Sequence, residues 1–298
     1  MSKTSEEMRT VWAKYDAMRD EGLEVPSTIR RYDDLSYGAD PVWNRLDVYC
    51  PKTAETKKLP VIINVHGGGW VYGDKKLYQY YCMNLAEREF AVINYSYRLA
   101  PENRFPAYLE DSVLAIQWIF SHAEEYLLDT SNIFMVGDSA GAQIVGQICA
   151  LAGNEEFAKQ FRFCLPKEFK PRAIAMNCGV YHLYDSRMKC FDSSVNPDLI
   201  SDLFEDGGTP EEMKLMNVVD LVNHNFPPAY IATALGDSQL AQAVWLKKAY
   251  EEAGLDYTYD VYGTVKNPLF HIFMVNLKNP ESKVCNDKEC DFFRKYLY

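Results

Sequence analysis

Ser139 is the residue whose setting most strongly indicates covalent chemistry. It lies in the stretch IFMVGDSAGA at residues 133–142, where an apolar run leads into Gly-Asp-Ser-Ala-Gly and a helically periodic apolar run follows. That pattern predicts a buried strand, a tight turn and a helix. A Gly-x-Ser-x-Gly turn in this context exposes its serine hydroxyl, and the glycines remove side chains that would clash with neighbouring backbone. The alternative is a glycine-rich turn with an incidental serine, and the rest of the chain must decide between the two.

A serine hydroxyl needs a base to take its proton, and the base needs an acid to orient it. For a serine on such a turn, the expected order along the chain is serine, acid, histidine. Asp237 directly follows a predicted strand at 229–235, and His271 follows the last predicted strand. Both are therefore candidates for these roles at the strand ends. The alternatives are an aspartate that caps the next helix and a loop histidine with no catalytic role.

Acyl transfer also needs backbone NH groups that can hold an oxyanion. The run HGGGW at residues 66–70 follows a predicted strand and offers backbone without side chains, and the NH of Ala140 lies next to the serine. These glycines lack the G-K-[ST] and G-x-G-x-x-G patterns of nucleotide sites, so no cofactor is expected. No metal is expected either, because no C-x-x-C pair and no histidine at zinc-like spacing is present.

Strands and helices alternate from residue 59 onward, which predicts an α/β fold with a mostly parallel central sheet and helices on both faces. The predicted strands of this part are residues 59–65, 90–95, 133–136, 172–178, 229–235 and 257–262. Two half-buried antiparallel edge strands are predicted before them at 29–37 and 44–49. Helices are predicted at 6–19, 77–88, from 106 onward, at 240–253 and at 287–297. Chemistry in such folds gathers outside the carboxyl ends of the strands.

The connection at residues 179–225 is long and irregular, which is typical of a functional element such as a lid. A capping box begins at Thr209, and the stretch also contains His182 and His224. These two histidines are weaker candidates for the base, and His224 is considered as a substrate contact. We predict a single domain over residues 1–298, with a small helical cap formed by residues 1–25 and 179–225.

The composition excludes several classes of protein. Apolar residues make up 48% and charged residues 24%, as in ordinary globular chains, and the net charge of -11 argues against nucleic acid as a partner. The N-terminus does not resemble a secretory signal, and no apolar run approaches the ~20 residues of a membrane span. The eight cysteines are scattered, so we expect free thiols and a cytoplasmic location. Edge strands and the last helix could pair in a homodimer, although nothing requires it.

Four motifs in this order resemble the hormone-sensitive-lipase-like branch of the α/β-hydrolases. They are HGGGW at 66–70, YRLAPENRFPA at 97–107, GDSAGA at 137–142, and the block at 227–237 followed by His271. The resemblance covers the chain from about residue 46 to the C-terminus. It implies the α/β-hydrolase fold and a triad of Ser139 as nucleophile, Asp237 as acid and His271 as base.

The same resemblance implies the supporting residues of the site. The oxyanion NH groups would come from Gly68, Gly69 and Ala140, with His66 bracing the glycine loop and Asp138 supporting the elbow. Two stretches depart from the family pattern. In the family, the triad acid is usually the first residue of the pattern D-x-L-x-D, whereas residues 237–241 read DSQLA here. The base usually precedes Gly-Phe, whereas Ile-Phe follows His271 here.

The function predicted from these residues is that of a serine carboxylesterase. It would hydrolyse short-chain, acetyl-type esters through an acyl-enzyme, with Trp70 and His224 as candidate contacts to the small-molecule ester. The alternative within enzymes is an amide hydrolase of the arylformamidase type, whose glycine motif is similar. A non-catalytic binding protein on a hydrolase scaffold is disfavoured, because all three candidate triad residues are present.

Overall fold

The computed structural model describes residues 1–185, 190–192, 194–205 and 207–298, without the side chains of residues 190 and 191. The strands of these residues are β1 Ile29–Ser36, β2 Arg45–Pro51, β3 Leu59–Val65, β4 Ala91–Tyr95, β5 Leu128–Asp138, β6 Ala173–Asn177, β7 Tyr184–Asp185, β8 Cys190–Phe191, β9 Ala229–Ala234 and β10 Tyr257–Tyr262. The α-helices are Lys3–Glu7, Ala13–Asp20, Gln79–Ala86, Ala107–Ser121, Ala140–Gly153, Glu155–Ala158, Pro197–Leu203, Pro210–Met216, Val218–Leu221, Leu240–Ala253 and Pro280–Arg294. A π-helical segment spans Met8–Trp12, and 3₁₀ turns span Lys75–Tyr78 and Phe273–Val275.

The described strands other than β7 and β8 form one sheet in the order β1-β2-β4-β3-β5-β6-β9-β10. The strand β2 pairs antiparallel with β1 and with β4, and every pairing from β4 to β10 is parallel. The predicted mostly parallel sheet is therefore confirmed. Its parallel strands place their carboxyl ends at one edge, where a site is expected.

Helices cover both faces of the sheet, because the parallel strands are apolar on both sides. In β3, Val61 and Ile63 belong to one buried cluster and Ile62 to the other. The first cluster includes residues of the helices Ala107–Ser121, Ala140–Gly153 and Leu240–Ala253, and the second includes residues of Gln79–Ala86 and Pro280–Arg294.

Two predictions about single elements were wrong. The strand at 44–49 is not an edge strand, because β2 lies between β1 and β4 and is buried along most of its length. The last helix begins at Pro280 rather than at residue 287. Its start is set by Asn279, whose side chain accepts a hydrogen bond from the NH of Glu281, and by proline at the first helical position.

The N-terminal helical segment, residues 3–20, lies outside the sheet. Of its apolar residues Met8 is buried, whereas Val11, Trp12, Tyr15 and Met18 are 41–65% exposed. Most of the apolar side chains of this segment therefore do not pack into the core. A π-helical segment within an α-helix is uncommon and often marks a functional site.

Side chains from two parts of the chain fasten this segment. The hydroxyl of Ser5 donates to Asp202 over 2.5 Å, and Arg9 donates to Glu102 over 2.7 and 2.8 Å. Asp202 belongs to the connection at 179–225, whose residues 186–189, 193 and 206 lie outside the described part of the chain.

The predicted capping box is present in that connection, with Thr209 and Glu212 as the reciprocal pair. In the described residues, no helix has the length and apolar character needed to cross a membrane.

Candidate active site

Ser139 lies at the carboxyl end of β5, where the chain turns into the helix Ala140–Gly153. Its backbone has φ 52° and ψ -122°, a region that costs a residue with a side chain about 1–3 kcal/mol. The turn is so tight that a Cβ on Gly141 would lie 2.0 Å from the carbonyl oxygen of Val65. The predicted strand, turn and helix are thus present, and the serine is half-exposed at the tip of the turn.

His271 and Asp237 lie beside this serine in a connected row. Nε2 of His271 is 3.0 Å from Oγ of Ser139, and Nδ1 is 2.8 Å from Oδ1 of Asp237. With the imidazole proton on Nδ1, the ring donates to the carboxylate and accepts from the serine hydroxyl. This arrangement can move a proton from a serine to an imidazole that a carboxylate holds in place.

Asp237 is buried, yet its surroundings favour the charged carboxylate. Burial alone would raise its pKa, but the hydrogen bond and charge of His271 hold the pKa of Asp237 below its ordinary value. The Cys178 thiol and the NH of Gln239, which is 2.9 Å from Oδ1, act in the same direction. The carboxylate therefore stays ionised and can stabilise a protonated imidazole. The NH that Asp237 accepts from belongs to Gln239, which is the N-cap residue of the helix Leu240–Ala253, so Asp237 is not itself the N-cap.

The glycine loop after β3 places backbone NH groups beside the serine. Gly68 and Gly69 have φ values of 119° and 58°, and a Cβ on Gly68 would lie 1.9 Å from the carbonyl oxygen of Tyr72. Within the described part of the chain, the NH groups of Gly68, Gly69 and Ala140 have no hydrogen-bond acceptor. Free NH groups beside a serine hydroxyl are suited to bind a developing oxyanion.

His66 fixes the start of this loop from within the core. Its ring is fully buried and stacks on Tyr97 at 4.0 Å between centroids. Nδ1 lies 2.8 Å from the carbonyl oxygen of Gly67, and the Tyr97 hydroxyl donates to the carbonyl oxygen of His66. Burial lowers the pKa of His66 to about 4, so the ring is neutral at physiological pH.

Asp138 links the loop to the serine turn. The hydroxyl of Tyr78 donates to Oδ2 of Asp138 over 2.7 Å and accepts from the NH of Gly67 over 3.1 Å. Burial raises the pKa of Asp138 to about 6. The residue next to the serine is therefore joined through one phenol to the loop that carries the free NH groups.

A second buried acid lies beneath the serine turn, and the sequence did not indicate it. The NH of Ser139 donates to the carbonyl oxygen of Asn177 over 3.0 Å, and the Asn177 side chain donates to Oε2 of Glu289 over 2.7 Å. Tyr81 donates to the other oxygen over 3.2 Å. Burial raises the pKa of Glu289 to about 7. No local pattern could reveal this link, because its members are far apart in the chain.

Two cavities meet at Ser139 and His271. The smaller, of about 280 Å³, is lined mainly by aromatic and aliphatic side chains of Trp12, Tyr15, Tyr72, Leu77 and Tyr78. The larger, of about 510 Å³, includes Met8, Trp12, Trp70, Val180, Val195 and Leu199 in its lining. Trp12 of the N-terminal helical segment therefore borders both cavities, which the sequence did not reveal. Trp70 also borders the larger cavity, and its indole NH donates to Gln143 over 3.1 Å.

The structure does not bring His224 to this site. His224 is exposed and lines a separate cleft of about 920 Å³ with Lys170 and Arg172, at the amino ends of β6 and β9. The expectation of a substrate contact is therefore wrong, because the connection returns the chain to the far edge of the sheet before β9 begins. The ring of His182 lies 5.4 Å from that of Trp245, and the imidazole bonded to Ser139 is that of His271.

Cys178 is a further residue that the sequence analysis did not select. It follows β6 directly, it is fully buried, and its thiol interacts with the carboxylate of Asp237. Its position after a parallel strand is the same signal that selected Asp237, and could have selected it too. The seven cysteines with described side chains are all free thiols.

Comparison with protein families matches residues 46–249 to the BD-FAE family. A curated relative is the versiconal hemiacetal acetate esterase of Dothistroma septosporum, 28% identical over 77% of this chain and 71% of the relative. Esterase LipC of Mycobacterium tuberculosis is 30% identical over 62% of this chain and 40% of that protein. The chain thus aligns with less than half of this second relative.

Solved structures show the same fold over nearly the whole chain. Esterase B from Lactobacillus rhamnosis superposes with a TM-score of 0.85 at 23% identity, over 99% of this chain and 97% of that chain. EstE1, a carboxylesterase from a metagenomic library, superposes with a TM-score of 0.78 at 18% identity, over all of both chains. The predicted α/β-hydrolase fold is confirmed, and the predicted class of carboxylic ester hydrolase agrees with the esterases that the chain matches.

The buried acid Glu289 predicts a pH-dependent stability. Because its pKa in the folded protein is about 7 and its ordinary value is 4.5, ionisation is penalised in the folded state. Stability is therefore lost as pH rises through this window, by about 1.4 kcal/mol for each pH unit. We expect Glu289→Gln, which cannot ionise, to be more stable relative to the parent at about pH 8 than at about pH 5. Urea unfolding of both proteins at both pH values measures this difference, and an equal difference at the two pH values would contradict it.

Proposed function

The chain belongs to the BD-FAE family, and from that membership and the site geometry we propose that it is a serine carboxylesterase acting on short-chain acyl esters. The observation that carries the proposal is the row Ser139, His271 and Asp237, with separations of 3.0 and 2.8 Å. The row lies beside unoccupied backbone NH donors. Acyl transfer needs both the hydrogen-bonded row and the NH donors, and the presence of one does not account for the presence of the other.

In the proposed mechanism, Oγ of Ser139 attacks the ester carbonyl carbon while Nε2 of His271 takes the hydroxyl proton. The oxyanion of the tetrahedral intermediate is held by the NH groups of Gly68, Gly69 and Ala140. The protonated imidazole then gives its proton to the leaving alcohol, and an acyl-enzyme remains. Water, activated by the same imidazole, releases the acid and restores the serine.

The other polar residues around the site serve as support in this proposal. The ionised carboxylate of Asp237 stabilises the imidazolium and keeps its Nδ1 proton in place. His66 braces the glycine loop as a neutral ring, and Asp138 ties that loop to the serine turn through Tyr78. The mechanism needs no cofactor and no metal.

The two cavities indicate where the acyl and alcohol parts of an ester would bind. We assign a short, acetyl-type acyl group to the smaller cavity, whose walls include Trp12, Tyr72 and Leu77, and the alcohol to the larger one. Residues 1–25 and 179–225 would act as the cap of a single domain, because side chains from both stretches line the larger cavity. A cytoplasmic location and a homodimer stay predictions.

An arylformamidase remains the alternative within enzymes. The aromatic lining of the smaller cavity would suit an aromatic substrate, whereas the matched relatives are named as esterases. Parallel assays on acetyl esters and N-formylkynurenine separate the two, and faster turnover of the formamide would favour the alternative. A purely binding function is disfavoured by the intact hydrogen-bonded row.

Replacing the proposed nucleophile tests the mechanism directly. Ser139→Ala removes only Oγ, so we expect a folded protein with no turnover of p-nitrophenyl acetate and no labelling by a fluorophosphonate. Ser238→Ala, which changes another serine of the larger cavity, is the matched control and should label normally. Labelling of the Ser139→Ala protein, with its circular dichroism unchanged, would place the nucleophile elsewhere.

Two histidine variants test the base. His271→Ala should lower kcat/KM by several orders of magnitude, because it removes the imidazole that is hydrogen-bonded to Oγ of Ser139 and would take its proton. His224→Ala should leave kcat/KM within about twofold of the parent, since this residue lies at the opposite edge of the sheet. Steady-state kinetics of both variants check the assignment, which fails if their effects are reversed.

A matched pair of leucine variants tests the acyl assignment. Leu77→Ala enlarges the smaller cavity, and we expect it to raise kcat/KM for hexanoyl relative to acetyl esters by about tenfold. Leu199→Ala enlarges the larger cavity and should leave this ratio nearly unchanged. A panel of p-nitrophenyl esters of increasing acyl length measures the ratio. A shift in the Leu199 variant alone would assign the acyl group to the larger cavity.

A further inference from the structure

We propose that Cys178, Asp237 and His271 form an inhibitory binding site for Zn²⁺. One ligand atom from each residue, a thiol sulfur, a carboxylate oxygen and an imidazole nitrogen, lies within 4.8 Å of the other two. Sulfur, nitrogen and oxygen ligands of these kinds are those that bind zinc in proteins. Three protein ligands leave a fourth position for water. The proposal rests on the proposed function only where it concerns inhibition.

The position of Cys178 does not follow from ordinary strand geometry. Its backbone has φ 47°, a left-handed conformation that is uncommon for a residue with a side chain. The NH of Cys178 donates to the carbonyl oxygen of Ala232 over 2.8 Å, which holds the turned backbone in place. The buried thiol lies in the apolar cluster on one face of the sheet, and its sulfur is within 4.8 Å of a ligand atom of Asp237 and one of His271. Such outliers are found where a side chain is aimed for a purpose.

The larger cavity reaches one of the three proposed ligands, His271. Its lining also includes Ser238, which adjoins Asp237 in the chain, and Val180, two residues after Cys178. The side chain of His271 is 30% exposed, whereas that of Asp237 is fully buried. The imidazole would therefore be the first ligand that an entering ion meets.

Zinc at this site would disable the proposed base. The nitrogen of His271 that faces Asp237 is Nδ1, and binding a metal there requires its lone pair. The imidazole proton then moves from Nδ1 to Nε2, and the thiol proton of Cys178 is released to solvent. With a proton on Nε2, the ring can donate to Oγ of Ser139 but cannot accept its proton. The outcome is reversible loss of hydrolysis without damage to the fold.

The soft thiolate also predicts which ions act. Zinc binds sulfur and imidazole ligands, whereas Mg²⁺ prefers oxygen ligands in octahedral geometry. Zn²⁺ should therefore inhibit p-nitrophenyl acetate hydrolysis, EDTA should restore it, and Mg²⁺ at the same concentration should have no effect. Inhibition by Mg²⁺ equal to that by Zn²⁺ would overturn the proposed ligand set.

Cysteine variants locate the site. In Cys178→Ala and Cys178→Ser, each compared with its own metal-free rate, the zinc concentration for half-inhibition should rise by about tenfold or more. Cys164→Ser, which changes an exposed cysteine, is the control and should be inhibited like the parent. If both Cys178 variants are inhibited at the parent's zinc concentration, the proposal is wrong.

Binding measured without activity separates this inference from the proposed function. Isothermal titration of Zn²⁺ into the parent should show one site that is weakened about tenfold or more in His271→Ala and in the Cys178 variants. His271 lies on a surface loop, so this variant tests the site even where a Cys178 variant fails to fold. An inactive parent that binds zinc through these residues would refute the esterase and keep the site. If the parent is active and its zinc affinity is unchanged in the His271 and Cys178 variants, the esterase proposal stands and the zinc site is refuted.

Discussion

The strained backbone of Ser139 is the constraint on which the rest of the site depends. A positive φ at a residue with a side chain persists only where its surroundings over-determine it. Here the NH of Ser139 is bonded to Asn177 on β6, and Gly141 is pressed against the carbonyl oxygen of Val65 on β3. Two neighbouring parallel strands therefore hold the turn from either side, and the helix that follows cannot relax without separating them.

Buried polar contacts, rather than apolar packing alone, carry this constraint outward. Tyr78 joins Asp138 to the glycine loop, and Glu289 reaches Asn177 from the last helix. These hydrogen bonds are made in the buried interior, where they are stronger than in water, so breaking one of them is costly. Neither acid has a cationic hydrogen-bond partner among the described residues, and burial accordingly raises the pKa of Asp138 and of Glu289.

How much could be predicted depended on whether the signal was local. The turn at Ser139, the helix at 240–253 and the strand at 257–262 follow from short patterns and agree with the structure. The start predicted for the last helix was too late in the chain, because the N-cap at Asn279 is a single-residue signal that lies outside the periodic run. The wrong substrate contact predicted for His224 and the unpredicted link of Glu289 to the serine turn have a different reason. Their surroundings depend on the path of long connections and on contacts between distant residues, which composition and spacing do not encode.

The contacts of the N-terminal helical segment affect the order in which the protein can fold during its synthesis. This segment is synthesised before residues that it contacts, which include Asp202 and Lys278, the latter bonded to the carbonyl of Met18 over 3.2 Å. Domains that emerge from the N-terminus generally fold as synthesis proceeds. The contacts of this segment with Asp202 and Lys278 must instead wait until those residues have been made. Until then the segment can contact only its earlier partners, such as Tyr72 and Glu102, so its docking is completed late.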